Sequence, residues 1–586
     1  MSNVLIDLDD KNPDKFLITT DRDVSIFGWK TIKKFESYNA EISPWNLSDL
    51  FCNKGKFGFD IEYTERVKPV VEILRQEIQR YKDARLYKTM SIDEIEDEWN
   101  EQSFNILFPK IQADLHQKRA VLWLLKAKRG GCFLEQGTGK TPTGIFFLGK
   151  LLYDNLVTKP LVIAPLSLLS NTVWFHDLEQ FSDFKPINLR DPDDFYNNSN
   201  GNIYFINPEK YQSWCFKRTK DAEHHYIKDN YFELMKFDAI FFDESSQLKT
   251  HESYKTQGFL RTAKYAKYMG LASGSPAPNK IFQIFSQMKV LGSVLGDNYS
   301  SFEMRYGVKR KVGPTELYFP TSNAEFEIRK RIDLVSYFIK REDVMTLPKR
   351  HYVDLDVDLH LDHMKIYKQV ETNYISAISG MDENGNQLEG KAIVEHEVAM
   401  RIKLLQIING FTNLEDKNGK ITRVSLPYNA KLDKLDELIQ ELLLDENNNM
   451  IVWCRFRWEI ETIYKKYQDI STFIYGGISD KIRESNLDRW LNDNNCRIIV
   501  AIPKSAKFGH TWIKSNTTIY FSGTEDFEDY IQSRDRNYRR GQDKEVTEYR
   551  IITNKTIERK VWYCISTKKK LDKFLKDYYT GQKNIV

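Results

Sequence analysis

At 586 residues the chain exceeds what one hydrophobic core supports, and roughly 150 residues per domain points to three or four domains. With 41% hydrophobic and 13% aromatic residues it is not a disordered chain. The 86 Lys plus Arg against 83 Asp plus Glu leave a net charge of +3, too little to draw in a polyanion through a global field, so any nucleic-acid contact must come from local basic patches.

Six cysteines, Cys52, Cys132, Cys215, Cys454, Cys496 and Cys564, lie far apart without a C-x-x-C pair or a His set at zinc spacing, and read as reduced, mostly buried thiols. The N-terminus MSNVLIDLDDKNPDK has neither the basic start nor the apolar run of a secretory signal. No stretch nears the roughly 18 consecutive apolar residues of a membrane span. The expectation is a monomeric cytoplasmic protein without membrane contact.

In chain order, residues 1–105 stand apart as a small N-terminal accessory domain of unknown role. Aromatics are mixed among lysines from Phe27 to Phe59, a helical stretch runs near Tyr63 to Tyr87, and an acidic run spans Asp93 to Glu98. Beyond them, short apolar runs bounded by Gly, Pro, Asn or Asp recur between longer amphipathic segments, the alternation of parallel sheets covered by helices. The first group is GGCFLEQ from Gly130, PLVIAPL from Pro160, NIYFINP from Asn202, FDAIFFDE from Phe237 and MGLASGS from Met269. The second is MIVWCRF from Met450, STFIYGG from Ser471, CRIIVAIP from Cys496, TTIYFSG from Thr517 and VTEYRIIT from Val546.

Runs such as Ala239–Phe242 and Ile498–Ala501 are apolar without alternation, so each strand is expected to be covered on both faces. The fold class is therefore α/β, with one parallel-sheet lobe over 106–325 and another over 446–586 that ends in a C-terminal helix. Residues 326–445 read as a helical insertion or linker, with turn-rich breaks at Met381 to Gly390 and Asp416 to Lys420.

Three segments carry chemistry. Glu135-Gln136-Gly137-Thr138-Gly139-Lys140-Thr141 follows a predicted strand and opens a helix. Gly137 and Gly139 let backbone N–H groups, that of Thr138 included, turn toward phosphate oxygens, Lys140 adds a cation, and the Thr141 hydroxyl suits magnesium. Leu134 stands where the phosphate-loop consensus has its first glycine, so an ordinary glycine-rich turn stays open at this stage. Phe237–Glu244 is a buried strand ending in paired carboxylates, where Asp243 can hold magnesium through water and Glu244 can polarise an attacking water. In the string Gln532 to Gln542, Arg536 and Arg539 are spaced to share one helix face and to reach phosphate oxygens across a cleft; a solvated basic face is the alternative.

In order and content these segments resemble the Swi/Snf-type ATPases of helicase superfamily two, from about Leu107 to Phe574. His116-Gln117 with the following Lys118 to Trp123 resembles the family's adenine-reading element. Leu161 to Ser167 followed by Trp174 is similar to its DNA-backbone motif, and Gly274-Ser275-Pro276-Ala277-Pro278-Asn279 to its Gly-Thr-Pro coupling motif. Leu347-Pro348 after Lys340 and Arg341, Gly476-Gly477 with Arg483, and Thr556-Ile557-Glu558 also have family counterparts, and Gln532 to Gln542 matches the terminal arginine motif.

The resemblance implies two tandem RecA-like lobes and ATP with Mg2+ as cofactors. Gln117 would contact adenine, Gly137 to Thr141 would hold phosphates, Thr141 and Asp243 would hold metal, and Asp243 and Glu244 would handle metal and water. Arg536 and Arg539 would reach across from the second lobe, with Arg539 favoured as the finger, and Gln532 would position water or coupling contacts. Departures are Ser246 in place of the usual Asp-Glu-x-His histidine, Ser275 for Thr, and Gly509-His510-Thr511-Trp512 for Gly-Leu-Asn-Leu. The first means that coupling between ATP and DNA sites must run through a hydroxyl or other partners.

The implied activity is a translocase that tracks double-stranded or branched DNA through the phosphate backbone, independent of sequence, to remodel DNA or displace bound proteins. The alternatives are a strand-separating or branch-migrating helicase, for which no wedge is visible, and a non-catalytic nucleic-acid-binding module. Residues 1–105 are a candidate contact for a protein partner, and the aromatic and basic stretch Phe27 to Phe59 for unstacked bases. Lack of chromatin-reader appendages and abundant Lys, Asn, Ile and Tyr fit a bacterial or phage setting.

Overall fold

A computed structural model describes residues 59–566, apart from 170–172, 198–202, 216–235, 278–279, 293–294, 296–297, 313–314, 374, 382–386, 394–396, 416–420, 508–510 and 564. Before them it describes the strands Ser2–Asp9, Asn12–Thr20, Thr31–Lys34 and Ser37–Ile42. Two compact units divide the chain between Val344 and Met345.

The first unit is built on a seven-stranded sheet in which every pairing is parallel. Its order is Ser336–Ile339, Arg129–Leu134, Tyr268–Ala272, Ala239–Asp243, Pro160–Ile163, Ile203–Ile206, Pro186–Asn188. The five apolar runs expected as strands are all in it. Pro186–Asn188 is too short to leave a periodic signal, and Ser336–Ile339 follows directly on the helix Ala324–Leu334, so its four residues read as more helix.

Helix Lys140–Tyr153 packs closely on this sheet because Gly144 has no side chain: a Cβ there would stand 2.7 Å from Trp174 and 2.8 Å from Phe241. The core also reaches back before residue 105. Tyr81, Ala84, Ile95, Trp99 and Phe104 join the same buried cluster as the sheet, with Trp99 stacked on Phe104 at 3.8 Å and edge-on to Phe146 at 5.6 Å. Helices Lys68–Leu86 and Ile92–Glu101 therefore belong to the first unit rather than to a separate domain. Ahead of them lies a five-stranded sheet in the order Thr31–Lys34, Ser37–Ile42, Asn12–Thr20, Ser2–Asp9, Phe59–Tyr63, with Ile6 and Ile18 paired and buried. The side chains of residues 27–58 lie outside the described residues.

The second unit holds a six-stranded sheet, again parallel throughout, in the order Arg350–Val357, Val546–Thr553, Thr517–Tyr520, Met450–Trp453, Ile498–Ala501, Ser471–Ile474. The expectation of a helical 326–445 is corrected here. Alongside helices Leu361–Asn373, Glu397–Ile408 and Ala430–Leu443, that region contributes the edge strand Arg350–Val357 and a closed antiparallel set of Ile375–Met381, Gln387–Ile393, Phe411–Glu415 and Ile421–Ser425. The expected breaks at Met381 to Gly390 and Asp416 to Lys420 lie within antiparallel pairs, the register running Ile375 to Ile393 and Phe411 to Ser425. After strand Val546–Thr553 the chain is helical over 557–563 and 565–566, and residues 567–586 lie outside the described residues.

Charged groups sit deep in the second unit. Lys431 and Glu558 form an ion pair at 2.6 Å with side chains 0% and 1% exposed, and Glu558 also accepts from the Thr553 amide at 2.9 Å. Glu459 is fully buried, and one carboxylate oxygen accepts from the Arg455 amide at 2.9 Å, the Phe456 amide at 3.1 Å and the Ser522 hydroxyl at 2.7 Å. Burial outweighs these donors and the nearby Lys431, and raises its pKa to about 7.

The folded chain therefore binds a proton at Glu459 that the unfolded chain, with a carboxyl near 4.5, releases earlier. Stability falls as pH rises from about 4.5 through about 7 and is flat above, by as much as about 3 kcal/mol at 1.36 kcal/mol per pKa unit. Glu459→Gln keeps the acceptor and removes the titration. The wild-type minus variant difference in melting temperature should fall from pH 5 to about pH 7 and level off by pH 8; a constant difference throughout would show that Glu459 does not titrate in this window.

Candidate active site

Three loops of the first unit meet at the carboxyl edge of its sheet, where open α/β sheets gather ligands. The strand Arg129–Leu134 leads into the turn Glu135–Gly139, and helix Lys140–Tyr153 begins from Gly139 at φ 87 and ψ 46. Gly137 also has positive φ, at 83. Glycine is required at 139 twice over, by that backbone angle and because a Cβ would meet the Gln117 side-chain nitrogen at 2.0 Å.

Gln117 is thus brought against the glycine turn, its side-chain oxygen held by the Asp114 amide at 3.0 Å. His116 supports the same turn, its Nε2 donating to the Thr138 carbonyl at 2.8 Å, and the Thr138 hydroxyl donates to the Glu135 carbonyl at 2.8 Å. Thr141 is half-buried in the first turn of the helix. Lys340 and Arg341 come to this edge as well: the Arg341 amide donates to the Glu135 carboxylate at 2.8 Å. Strand Ser336–Ile339, which the sequence pattern did not reveal, delivers them.

Lys140 Nζ stands 3.9 Å from a Glu244 carboxylate oxygen, both side chains mostly buried. Asp243 is 2% exposed and accepts from the Trp174 indole at 3.0 Å and from the Glu244 amide at 2.9 Å. Burial raises the Asp243 pKa, with Lys140 the foremost group opposing that rise. Trp174 is itself buried, so it orients Asp243 instead of meeting a ligand at the surface. Glu244 sits in the left-handed region at φ 55 and ψ 50, a conformation that costs a non-glycine residue of order 1 kcal/mol or more and persists only where neighbours enforce it.

No group of three or more His, Cys, Asp or Glu among the described residues could by itself hold a metal ion. Asp243 and the Thr141 hydroxyl offer hard oxygen donors, which fit a magnesium ion that keeps waters and takes its remaining ligands from phosphates.

In the second unit, helix Phe527–Arg534 carries Gln532 and stops there; Asp535 to Gly541 are turns and bends. The expected single helix face for Arg536 and Arg539 is corrected accordingly. The chain turns because buried Asp535 draws in Arg350 at 3.4 Å and Arg534 at 3.0 Å, and Gly541 takes φ 93. Arg536 is 4% exposed, and its carbonyl accepts from the Trp512 amide at 2.9 Å; Arg539 is half-buried and donates through Nε to the Asp535 carbonyl at 3.0 Å. Gln532 donates to Glu528 at 3.3 Å.

Gln542 staples the turn from below, its amide nitrogen within 3.0 to 3.3 Å of the Asn537, Ser515 and Ile513 carbonyls. Arg350 lies 3.9 Å over the Tyr538 ring, whose hydroxyl donates to the Pro348 carbonyl at 2.7 Å. Sequence reasoning missed Arg350; its place next to Leu347-Pro348 is the only signal it leaves. Gly509 and His510 lie outside the described residues, while Trp512 is buried and stacks on Trp453 at 5.4 Å.

The structure thus brings together Gln117, Gly137, Thr138, Gly139, Lys140, Thr141, Asp243 and Glu244 in one unit, and Gln532, Arg536 and Arg539 in the other. The SNF2-related domain matches residues 116–409, half of the chain. The chain is an SNF2-related ATPase. Within this SNF2-related ATPase the helicase conserved C-terminal domain matches residues 430–541.

The SNF2-related ATPase is 23% identical over 453 residues to the CHD3-type chromatin-remodeling factor CHR7 of Arabidopsis thaliana, covering 75% of this chain and 35% of the relative. It is 25% identical over 472 residues to an uncharacterized ATP-dependent helicase of Mycoplasma pneumoniae, covering 78% of this chain and 41% of the relative. The chain thus spans well under half the length of either. A solved structure described as the Sulfolobus solfataricus SWI2/SNF2 ATPase core in complex with dsDNA is similar over 81% of this chain and 96% of that one, at 20% identity and TM-score 0.37, a likeness too loose to carry argument. No helix among the described residues of the SNF2-related ATPase is long and apolar enough to cross a membrane.

Proposed function

We propose that this ATPase couples ATP hydrolysis to movement along double-stranded DNA, contacting the phosphate backbone and reading no bases. The supporting observation is the preformed glycine turn with Lys140 3.9 Å from Glu244, next to an Asp243 fixed by the Trp174 indole. Relatives whose printed names describe chromatin remodeling and ATP-dependent helicases support the DNA part of the reading.

In this reading Gln117 contacts adenine, and the turn's N–H groups with Lys140 hold the β- and γ-phosphates. Asp243 and Thr141 hold Mg2+, which neutralises phosphate charge. Glu244 orients the attacking water; its left-handed backbone fixes the carboxylate in advance, so little reorganisation remains at the moment of reaction. Arg536 and Arg539 stabilise charge on the transferring phosphoryl group, with Gln532 positioning the same contacts. DNA steps as ATP binding and hydrolysis alternately favour two arrangements of the motor.

Strand separation is a second reading favoured by one specific feature. Strands Gly307–Val312 and Thr315–Pro320 form a two-stranded sheet paired with no third strand among the described residues. Exposed Lys309, Arg310 and Lys311 lie opposite Tyr318, Leu317 and Glu316, with Lys309 5.6 Å from the Tyr318 ring and Arg310 5.6 Å from that of Phe319. A basic and aromatic ribbon of this size suits a DNA groove or a fork.

One assay separates the readings: ATP turnover with double-stranded, single-stranded and no DNA, together with release of a labelled strand from a forked duplex. Greater stimulation by duplex without strand release is expected. Strand release, or stronger stimulation by single strands, selects the helicase reading, and unchanged turnover with any DNA ends both.

A further inference from the structure

The Gln287 side chain ties the turn that carries Glu244 to the Gly274–Ala277 loop. Ser245 follows Glu244 and is completely buried; its hydroxyl lies 2.9 Å from the side-chain oxygen of Gln287. Gln287 is on helix Phe285–Val290, is itself 0% exposed, and its amide nitrogen lies 2.7 Å from the Pro276 carbonyl.

The chemistry fixes the direction of both bonds. A carbonyl oxygen only accepts, so the Gln287 nitrogen must face Pro276, its oxygen must face Ser245, and the Ser245 hydroxyl must donate. A fully buried amide is costly unless both ends are bonded, and here both are. The two bonds are in series: losing either breaks this link between the Glu244 turn and the loop. That turn holds a non-glycine residue in the left-handed region, a conformation that needs external enforcement.

We propose that Gln287 is a positioning residue for ATP turnover: through Ser245 it holds the strained Glu244 turn in register with the Gly274–Ala277 loop, so that displacement of that loop reaches the Glu244 carboxylate. The inference rests on Glu244 acting on the attacking water.

The test compares steady-state ATP turnover of the full chain with Ser245→Ala, Gln287→Leu, the double variant and Lys140→Ala. Each single change is expected to lower kcat by about 10-fold or more, the scale of a small misplacement of a catalytic group, with KM for ATP within about twofold. The double variant should be no slower than the slower single one, as bonds in series require. Gln287→Glu should recover relative to wild type as pH falls, because the protonated carboxyl again donates to Pro276. Single variants with wild-type kcat, multiplying losses in the double variant, or a loss confined to KM would overturn the proposal. Should Gln287→Leu fail to fold, Ser245→Ala, which deletes one hydroxyl, decides alone. Retained turnover in Lys140→Ala would instead remove the site reading on which the proposal stands.

Discussion

Lys140→Ala should lower ATP turnover by at least about 10²–10³-fold, the loss seen when a preorganised charge-stabilising group is removed, while the chain stays folded. The turnover loss arises because Lys140 is the cation at the first turn of helix Lys140–Tyr153, aimed at the edge where Asp243 and Glu244 lie. The fold survives because the lysine contributes one long ion pair, 3.9 Å, in a turn otherwise held by His116 and Thr138. At 3.9 Å the pair is too long for a hydrogen bond, and Asp243, whose pKa burial already raises, can take up a proton when the lysine is gone instead of standing as an uncompensated charge. The variant should leave Asp243 harder to ionise, since the foremost group opposing its raised pKa is gone. Steady-state ATP hydrolysis and a thermal melt check both halves. Retained turnover excludes Lys140 as the phosphate lysine, and a large fall in melting temperature assigns it to structure instead.

The second large effect is on stability. Lys431→Met should destabilise the second unit by about 3–5 kcal/mol, because it strands the Glu558 carboxylate, 1% exposed, without the cation 2.6 Å away. Adding Glu558→Gln should restore most of the loss, since glutamine still accepts from the Thr553 amide and no buried charge remains. Urea unfolding of wild type, single and double variants measures this. A single variant within about 1 kcal/mol of wild type would show that water reaches Glu558 and shares its charge.

In this SNF2-related ATPase the pair gives the Thr556-Ile557-Glu558 string a structural meaning: the glutamate closes the core around strand Val546–Thr553. The arginine string behaves similarly. The proposed mechanism assigns Arg536 and Arg539 to phosphates, while Asp535, Tyr538 and Gln542 shape the turn that carries them.

Legibility followed the range of the interactions. Central strands such as Ala239–Asp243 and Ile498–Ala501 announced themselves because burial on both faces demands runs of apolar residues, and the glycine turn because positive φ at Gly137 and Gly139 admits few other residues. The edge strands Ser336–Ile339 and Arg350–Val357 were silent. The first is four residues long, and the second is largely exposed, so its pattern lacks the apolar run that marks a central strand. The closed strands Ile375–Met381 and Gln387–Ile393, with the sequences ISAISGM and QLEGKAI, lack the unbroken apolar run of a central strand and so do not stand out from the helical segments around them.

From residue order alone came the two parallel-sheet lobes, the phosphate-type turn and the carboxylate pair, since each is written in contiguous residues whose spacing the local backbone fixes. Tertiary structure alone decided that Gln287 links Ser245 to Pro276, that Trp174 serves Asp243, that Lys431 neutralises Glu558, and that Arg536 and Arg539 leave a turn and not a helix. Those pairings join residues far apart in the chain, and a buried polar group takes whichever partner the packing brings within hydrogen-bond reach, a choice no local pattern encodes.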